Sequence, residues 1–262
     1  MNMDFETLTF SQDSAVATIT LSRPDAANGL NAQMASELKR VAQECDSRDD
    51  IRVVILTAAG RFFCAGGDIK EMSSHGDAVA LRIKSLADDL HMAISTFSRM
   101  PKPLIIAVNG TAAGAGFSLA VSGDLVMASE NAKFTMAYTK AGLSPDGSSS
   151  YFLPRLIGLR RTQDLMFTNR VLSAQEAYEW GLVTRVLPQD DLLKTARELA
   201  EELARGAPRS NAAIKALLRT SFTNGLETQM EIEGRKISAC AGSPDGREGI
   251  EAFIEKRAPK FS

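Results

Sequence analysis

Two short apolar runs constrain the fold of this chain more than any other feature of its sequence. RVVILTAAG and PLIIAVNG are each continuously apolar rather than alternating. Strands buried on both faces have this pattern, and they occur mainly in parallel sheets covered by helices. Apolar residues at helical spacing precede each run, over residues 31–42 before the first and in LHMAISTFSRM before the second. The sequence therefore predicts repeated strand and helix units of an α/β protein.

Other periodic segments extend this pattern on both sides. FETLTFSQDSAVATITLSR alternates apolar and polar residues around a turn at 12–14, which predicts a β-hairpin. GAGFSLAVSG has helical spacing and leads into DLVMASE, a further apolar run. We therefore expect a third buried strand after a third helix.

After Pro154 helical patterns dominate the sequence. They occur in QDLMF, SAQEAYEWG and DLLKTARELAEELARG. Gly181 and Gly206 stand where helix C-caps are expected. We predict a core domain over residues 1–190 and a C-terminal helical region, used for oligomerisation, over residues 191–262.

Composition disfavours several classes of protein. Thirty Lys and Arg against 32 Asp and Glu give a net charge of −2 without a basic block, so nucleic acid is not an expected partner. Apolar stretches stay shorter than a bilayer span, so no membrane partner is expected either. Three widely spaced cysteines and two histidines form no metal-ligand pattern, which predicts a cytoplasmic protein without bound metal.

Two glycine-rich segments directly follow the buried strands. They are RFFCAGGDIKEM, residues 61–72, and NGTAAGAGFSLA, residues 109–120. Small residues let a substrate approach the backbone, and a helix that begins there has free N–H groups. Two such ends facing each other would form an oxyanion hole. The alternative is that each is only a tight turn between strand and helix; neither matches a P-loop or a dinucleotide fingerprint.

Asp146 stands in a third segment, S-P-D-G-S, within residues 134–158. Pro, Asp and Gly each favour the backbone angles of a turn, so this Asp could be a solvated turn former. A carboxylate near an oxyanion hole could instead move protons as a general base and acid.

Together these segments resemble the enoyl-CoA hydratase/isomerase family, also called the crotonase family. The resemblance covers essentially the whole chain, through LSRPDAANGLNAQM, FFCAGGDIKEM, AVNGTAAGAGFSLAVSGDLVMASENAKF and EGIEAFIEKRAPKF. It implies an α/β fold, a crotonase-like spiral of repeated ββα units with a C-terminal helical region. It also implies a homotrimer or homohexamer that acts on an acyl-CoA thioester, with coenzyme A as part of the substrate and no separate cofactor.

The resemblance also implies roles for particular residues. The backbone N–H groups of Gly67 and Ala115 would form the oxyanion hole. The remaining implied residues bind coenzyme A: Ala65, Gly67, Asp68 and Ile69 line its path, and Phe253 and Lys256 reach its adenine end across a subunit boundary. For Lys256 the alternative is a solvated charge at a helix end.

A departure from the family pattern points to one reaction class. Hydratases of the family have glutamates at the positions of Ser118 and Tyr138, and neither residue here can serve as a general base near neutral pH. Asp146 stands where double-bond isomerases and some aryl-thioester dehalogenases have an aspartate. The sequence therefore predicts an enoyl-CoA isomerase in which Asp146 transfers a proton.

YTKAGLSPDGSSSYFLPRLIG most resembles the branch that isomerises the ring epoxide of phenylacetate breakdown and also shifts enoyl double bonds. Three alternatives stay open: a hydratase-like enzyme, a hydrolase or dehalogenase with Asp146 as nucleophile, and an acyl-CoA-binding protein without catalysis. His75 and His91 receive no role. Cys64 is expected to be a small buried residue rather than a nucleophile.

Overall fold

The strands of the computed structural model, which describes residues 4–73 and 76–262, form two sheets. Their bounds are β1 (Leu8–Asp13), β2 (Val16–Leu21), β3 (Val53–Ala58), β4 (Phe62–Cys64), β5 (Leu104–Val108), β6 (Thr111–Ala113), β7 (Leu125–Ser129), β8 (Lys133–Thr135), β9 (Leu172–Ser173) and β10 (Arg185–Leu187). The larger sheet has the order β1-β2-β3-β5-β7-β10, and the smaller has the order β4-β6-β8-β9.

The two sheets are built by a repeated step along the chain. β3, β5 and β7 pair in parallel in the larger sheet, and the short strands that follow them, β4, β6 and β8, pair in parallel in the smaller one. Glycine makes the first two steps possible: Gly60 has φ +77°, and a Cβ on Gly110 would lie 2.0 Å from the Arg61 carbonyl oxygen. Each unit thus places one strand in each sheet before the chain continues into the next segment.

Helices and single 3-10 turns occupy most of the remaining chain. The helices are α1 (Ala32–Ser47), α2 (Ile69–Ser73), α3 (Val79–Arg99), α4 (Ala115–Ala120), α5 (Ser149–Thr168, broken at Gly158), α6 (Ala174–Glu179), α7 (Leu192–Arg205), α8 (Pro208–Thr220), α9 (Leu226–Ala241) and α10 (Pro244–Glu255). The 3-10 turns are Pro24–Ala26, Gly76–Ala78, Tyr138–Ala141 and Gln189–Asp191. No helix in the described ranges combines the length and apolar character needed to cross a bilayer.

The continuous apolar run of β3 is explained by two separate cores. Val54 and Leu56 belong to the main core, which also contains the buried faces of α1 and α3. Val53 and Ile55 point to the other side, where they join a smaller core that includes buried residues of α7. Both faces of the strand are therefore buried, as the sequence predicts. The predicted α/β class is also confirmed.

The helices after residue 190 differ in how they meet the core. α7 buries a stripe spaced by four residues, formed by Leu192, Ala196, Ala200 and Ala204, against the larger sheet. α9 has no buried residue. The division at residue 190 and the oligomerisation role of the C-terminal region remain predictions.

A largely buried lysine side chain attaches α8 to the core. Lys215 Nζ lies 2.6 Å from Asp124 Oδ2 and donates to the carbonyl oxygens of Phe97 and Lys102 at 2.7 and 2.9 Å. An unpaired charge at this depth would be costly, and these partners offset that cost.

Candidate active site

The two predicted glycine-rich segments lie against each other. A Cβ on Gly66 would lie 3.0 Å from the Ala113 carbonyl oxygen, and one on Gly114 would lie 3.6 Å from the Gly66 Cα. Gly66 and Gly114 also have positive φ, of +96° and +51°. Behind them, a Cβ on Gly116 would lie 2.2 Å from the Cys64 carbonyl oxygen. Only glycine allows this approach, so the two segments form one compact unit.

The amide of Gly67 is directed away from its neighbouring chain. Leu30 donates to the Gly66 carbonyl at 2.7 Å and accepts from the Asp68 amide at 2.8 Å. These two hydrogen bonds join Leu30 to the residues on either side of Gly67, as in any parallel bridge. The N–H of Gly67 itself therefore points away from Leu30. In the described part of the chain this N–H has no hydrogen-bond acceptor.

Ala115 is the first residue of α4, and the N–H groups in the first turn of a helix have no acceptor within that helix. The Ser118 N–H, three residues later, donates to the Gly114 carbonyl at 3.0 Å. The Ala115 N–H itself has no acceptor among the described residues, as expected at a helix start. Two small-residue turns therefore each present an unused amide.

Asp146 is held by a short chain of hydroxyl groups. The Tyr138 hydroxyl donates to Asp146 Oδ1 at 2.7 Å, and Ser118 Oγ lies 3.0 Å from the same hydroxyl oxygen. Because a tyrosine has one hydroxyl hydrogen, Ser118 is the donor in the second contact. Burial is the main cause that raises the pKa of Tyr138, and the negative charge of Asp146 raises it further. The tyrosine hydroxyl therefore stays protonated and can donate a hydrogen bond.

A glycine also allows the Asp146 turn to pack against the second glycine-rich segment. Gly147 has φ +60°, and a Cβ there would lie 2.8 Å from Ser118 Cβ in α4. The Tyr138 ring borders Gly114, since a Cβ on that glycine would lie 4.0 Å from the ring atom Cζ. Asp146, whose side chain is 29% exposed, thus lies beside the segment that carries the Ala115 amide.

His91 is a site residue that the sequence analysis missed. It lies on α3, where Nε2 accepts a hydrogen bond from the Gly147 N–H at 3.1 Å and is 3.6 Å from Asp146 Oδ2. A histidine in a helix 55 residues before Asp146 carries no sequence signal of this contact. The other histidine, His75, falls outside the described residues.

The residues expected along the coenzyme A path surround the first turn. Ala65 donates to the Ala27 carbonyl at 3.1 Å, and Ile69 is exposed at the start of α2. Asp68 is 3.0 Å from the Arg23 guanidinium. Partial burial opposes ionisation of Asp68, but hydrogen bonds from Arg23 and from backbone amides outweigh it and lower its pKa.

The two residues expected at the adenine end lie elsewhere on the chain. Phe253 is on α10 and 86% exposed, and Lys256 caps the same helix in the left-handed conformation. α10 contacts α9. Their roles remain predictions.

Cys64 is fully buried beneath the first turn. Desolvation raises the pKa of its thiol to about 12, so it is not a nucleophile at neutral pH. No group of three or more His, Cys, Asp or Glu side chains in residues 4–73 and 76–262 is arranged to hold a metal.

Two cavities border these elements. One of about 810 Å³ lies between α3, α5 and α8, and His91 and Gly147 form part of its wall. The other, about 180 Å³, adjoins the first glycine-rich segment through Leu30, Asp68 and Met72. The larger, mostly apolar cavity therefore adjoins the Asp146 turn, and the smaller one adjoins the first glycine-rich segment.

Comparison with known proteins gives consistent results. The family model for enoyl-CoA hydratase/isomerase matches residues 11–262. The chain is 39% identical over 259 residues to 1,2-epoxyphenylacetyl-CoA isomerase of Escherichia coli K12, covering 95% of this chain and 96% of that protein. It is 34% identical to 4-chlorobenzoyl coenzyme A dehalogenase-2 of an Arthrobacter species, covering 92% and 88%. An enoyl-CoA hydratase structure from Polaromonas sp. JS666 superposes with a TM-score of 0.92 at 34% identity, covering 97% and 99%.

Proposed function

Because this chain belongs to the enoyl-CoA hydratase/isomerase family, we propose that it isomerises an acyl-CoA thioester through an enolate, with Asp146 as the proton carrier. The family and its crotonase-like α/β fold are confirmed. The proposal depends on one observation: the Tyr138 hydroxyl donates a hydrogen bond to Asp146 Oδ1. Ser118 and Tyr138 are both neutral, so Asp146 is the carboxylate of this hydrogen-bonded group.

The unused amides supply the first part of the reaction. The thioester oxygen binds the N–H groups of Gly67 and Ala115, which stabilise the negative charge that develops there. One such donor typically contributes about 10²–10³ in rate. This charge makes a proton on the adjacent carbon acidic enough for a carboxylate to remove.

Asp146 supplies the second part. Its carboxylate takes a proton from one carbon, and the electrons of the broken C–H bond enter the enolate. The double bond then re-forms one position along as the Asp146 carboxyl group delivers a proton to another carbon. Between removal and delivery the proton on Asp146 can exchange with solvent. Tyr138 holds Oδ1, which leaves Oδ2 as the oxygen that accepts the proton.

Hydration requires a different set of groups. A water molecule that attacks a double bond must lose a proton to a base, and Ser118 and Tyr138 stay protonated. The raised pKa of Tyr138 strengthens this conclusion. Isomerisation needs only the one carboxylate.

Substrate binding would use the remaining predicted residues. Ala65, Gly67, Asp68 and Ile69 line the path of coenzyme A, and Phe253 and Lys256 of a neighbouring subunit reach its adenine end. This arrangement needs an oligomer, and the assembly we propose is a homotrimer or homohexamer. Coenzyme A enters as part of the substrate in a cytoplasmic enzyme, and no separate cofactor takes part.

The proposal is tested with a panel of 2-enoyl-CoA and 3-enoyl-CoA thioesters and an aryl-epoxide acyl-CoA. Asp146→Asn is expected to lower the isomerisation rate by about 10²–10⁴-fold because it removes the proton carrier. Asp190→Asn, at an exposed turn, is the matched control and should keep full activity. Full turnover by Asp146→Asn would exclude the proposal.

Aryl-thioester dehalogenation is a second candidate, supported by the 34% identity to a 4-chlorobenzoyl coenzyme A dehalogenase. Here Asp146 attacks the ring carbon, halide leaves with the electrons of the carbon–halogen bond, and water cleaves the resulting aspartyl ester. After one turnover of a halobenzoyl-CoA in ¹⁸O water, label in Asp146 would favour this reaction over isomerisation.

A further inference from the structure

We propose that His91 is a positioning residue that aims the Asp146 carboxylate, a role that rests on the function proposed above. The imidazole does so by accepting the Gly147 N–H through Nε2 at 3.1 Å. Gly147 directly follows Asp146, so this bond fixes the peptide that orients the Asp146 side chain.

Tyr138 holds the Asp146 side chain, but among the described residues the Asp146 backbone carbonyl is bonded only by a nearby residue of the same turn. Ser149 donates to the Asp146 carbonyl through its amide at 3.3 Å and its hydroxyl at 2.9 Å. Gly147 has φ +60°, a conformation in which glycine has wide backbone freedom. His91 restrains this flexible residue from the opposite element, α3.

The contact requires that Nε2 carry no hydrogen. A nitrogen that accepts the Gly147 N–H offers its lone pair, so the ring hydrogen is on Nδ1. Oδ2 of Asp146 is 3.6 Å from Nε2, too far for a hydrogen bond, and so remains available as the base.

Protonation of Nε2 would reverse this arrangement. The imidazolium could no longer accept from Gly147, and its new N–H would be drawn to Oδ2, the oxygen that the reaction needs. With 47% of the His91 side chain exposed, solvent can deliver this proton. His91 thus supports the base only in its uncharged form.

Other charges around His91 are identifiable. On α3, Asp88 and Asp89 are paired with Lys84 and Lys39. Arg99, also on α3, borders the 810 Å³ cavity. Facing elements contribute Asp146 and, around that cavity, Asp124, Arg155, Lys215 and Arg219. Of the carboxylates in the described chain, Asp146 is the one that lies within 4 Å of a ring nitrogen of His91, at 3.6 Å.

Two substitutions separate positioning from simple packing. His91→Leu removes the acceptor, and kcat is expected to fall by about 10²-fold with KM nearly unchanged, since a misaimed base slows chemistry. His91→Gln keeps an acceptor oxygen that cannot take up a proton, so its kcat should stay within roughly threefold of wild type. Equal kcat in His91→Leu and wild type would overturn the proposal.

The closing experiment is ¹⁵N NMR of the imidazole nitrogens in the substrate-free protein, with the His91 signals identified by their loss in His91→Gln. An unprotonated Nε2 and a protonated Nδ1 at pH 8 are expected, and the opposite tautomer would overturn the proposal. This result does not depend on turnover. An inert wild type would thus defeat the proposed reaction alone, whereas active enzyme with the wrong tautomer would defeat only the role of His91.

Discussion

The first and second glycine-rich segments each present one unused amide, yet they are supported in different ways. In the first, Ala65 and Ile69 are exposed and Asp68 is paired with Arg23 near the surface. In the second, every residue of α4 is buried, and Gly116 lies directly against the Cys64 backbone. The first can vary its side chains to suit what binds there, whereas the second is fixed by close packing.

The largest effect is expected from Gly116→Ala in the second segment. The new Cβ would lie 2.2 Å from a backbone oxygen that cannot move aside. Overpacking of this kind costs about 1–3 kcal/mol or more in the free energy of unfolding. Urea denaturation measures it, and Gly234→Ala on exposed α9, where a Cβ meets no atom within 4 Å, is the matched control. An unchanged free energy of unfolding in Gly116→Ala would show that the second segment is no more tightly packed than the first.

Tyr138→Phe is expected to have the next largest effect, on activity rather than on folding. It removes the hydroxyl hydrogen bond to Asp146 Oδ1, and bonds to charged groups contribute about 1.5–3 kcal/mol. We expect kcat to fall roughly tenfold or more. Tyr178→Phe, at a half-exposed position on α6, should leave kcat unchanged. Equal kcat in Tyr138→Phe and wild type would remove Tyr138 from the site.

Gly67→Ala tests the first segment with the same chemical change as Gly116→Ala. Its new Cβ would approach Met72 Cε to 2.4 Å, but this is the end of a flexible side chain that can rotate away. The loss in the free energy of unfolding should stay below about 1 kcal/mol. A loss as large as that of Gly116→Ala would show that both segments are equally rigid.

The smallest effect is expected from Arg23→Gln, which removes the partner of Asp68. A partly exposed ion pair contributes about 0–1 kcal/mol. Because the pKa of Asp68 is lowered on folding, its stabilisation is present above the unfolded pKa and is lost as the pH falls through the folded pKa. The unfolding free energy of Arg23→Gln should therefore depend less on pH below neutrality, and a steeper dependence would argue against the pair.

Much of the fold could be predicted because the apolar runs are long enough to show their period. β3 and β5 are buried on both faces, and the hairpin of β1 and β2 turns where the alternation is interrupted. The smaller sheet could not be seen from periodicity, since β4 and β6 have three residues each and lie in glycine-rich sequence. Its strands form because glycine lets neighbouring segments approach.

The site was less accessible to sequence reasoning. Gly67, Ala115 and Asp146 stand in recognisable segments, but no pattern connects them to α3. In the sequence, Tyr138 marks a position without a carboxylate, and only the structure shows that its hydroxyl holds Asp146. His91 reaches the site through the Gly147 amide, a contact between residues 56 positions apart.

The central claim, that Asp146 moves a proton to and from a thioester enolate, is tested most directly by deuterium exchange. Wild type and Asp146→Asn are incubated with an enoyl-CoA in heavy water, and the label at each acyl carbon is followed by mass spectrometry. Deuterium is expected in substrate and product with wild type, because the proton on Asp146 exchanges with solvent, and almost none is expected with Asp146→Asn. Equal labelling by both proteins would contradict the claim.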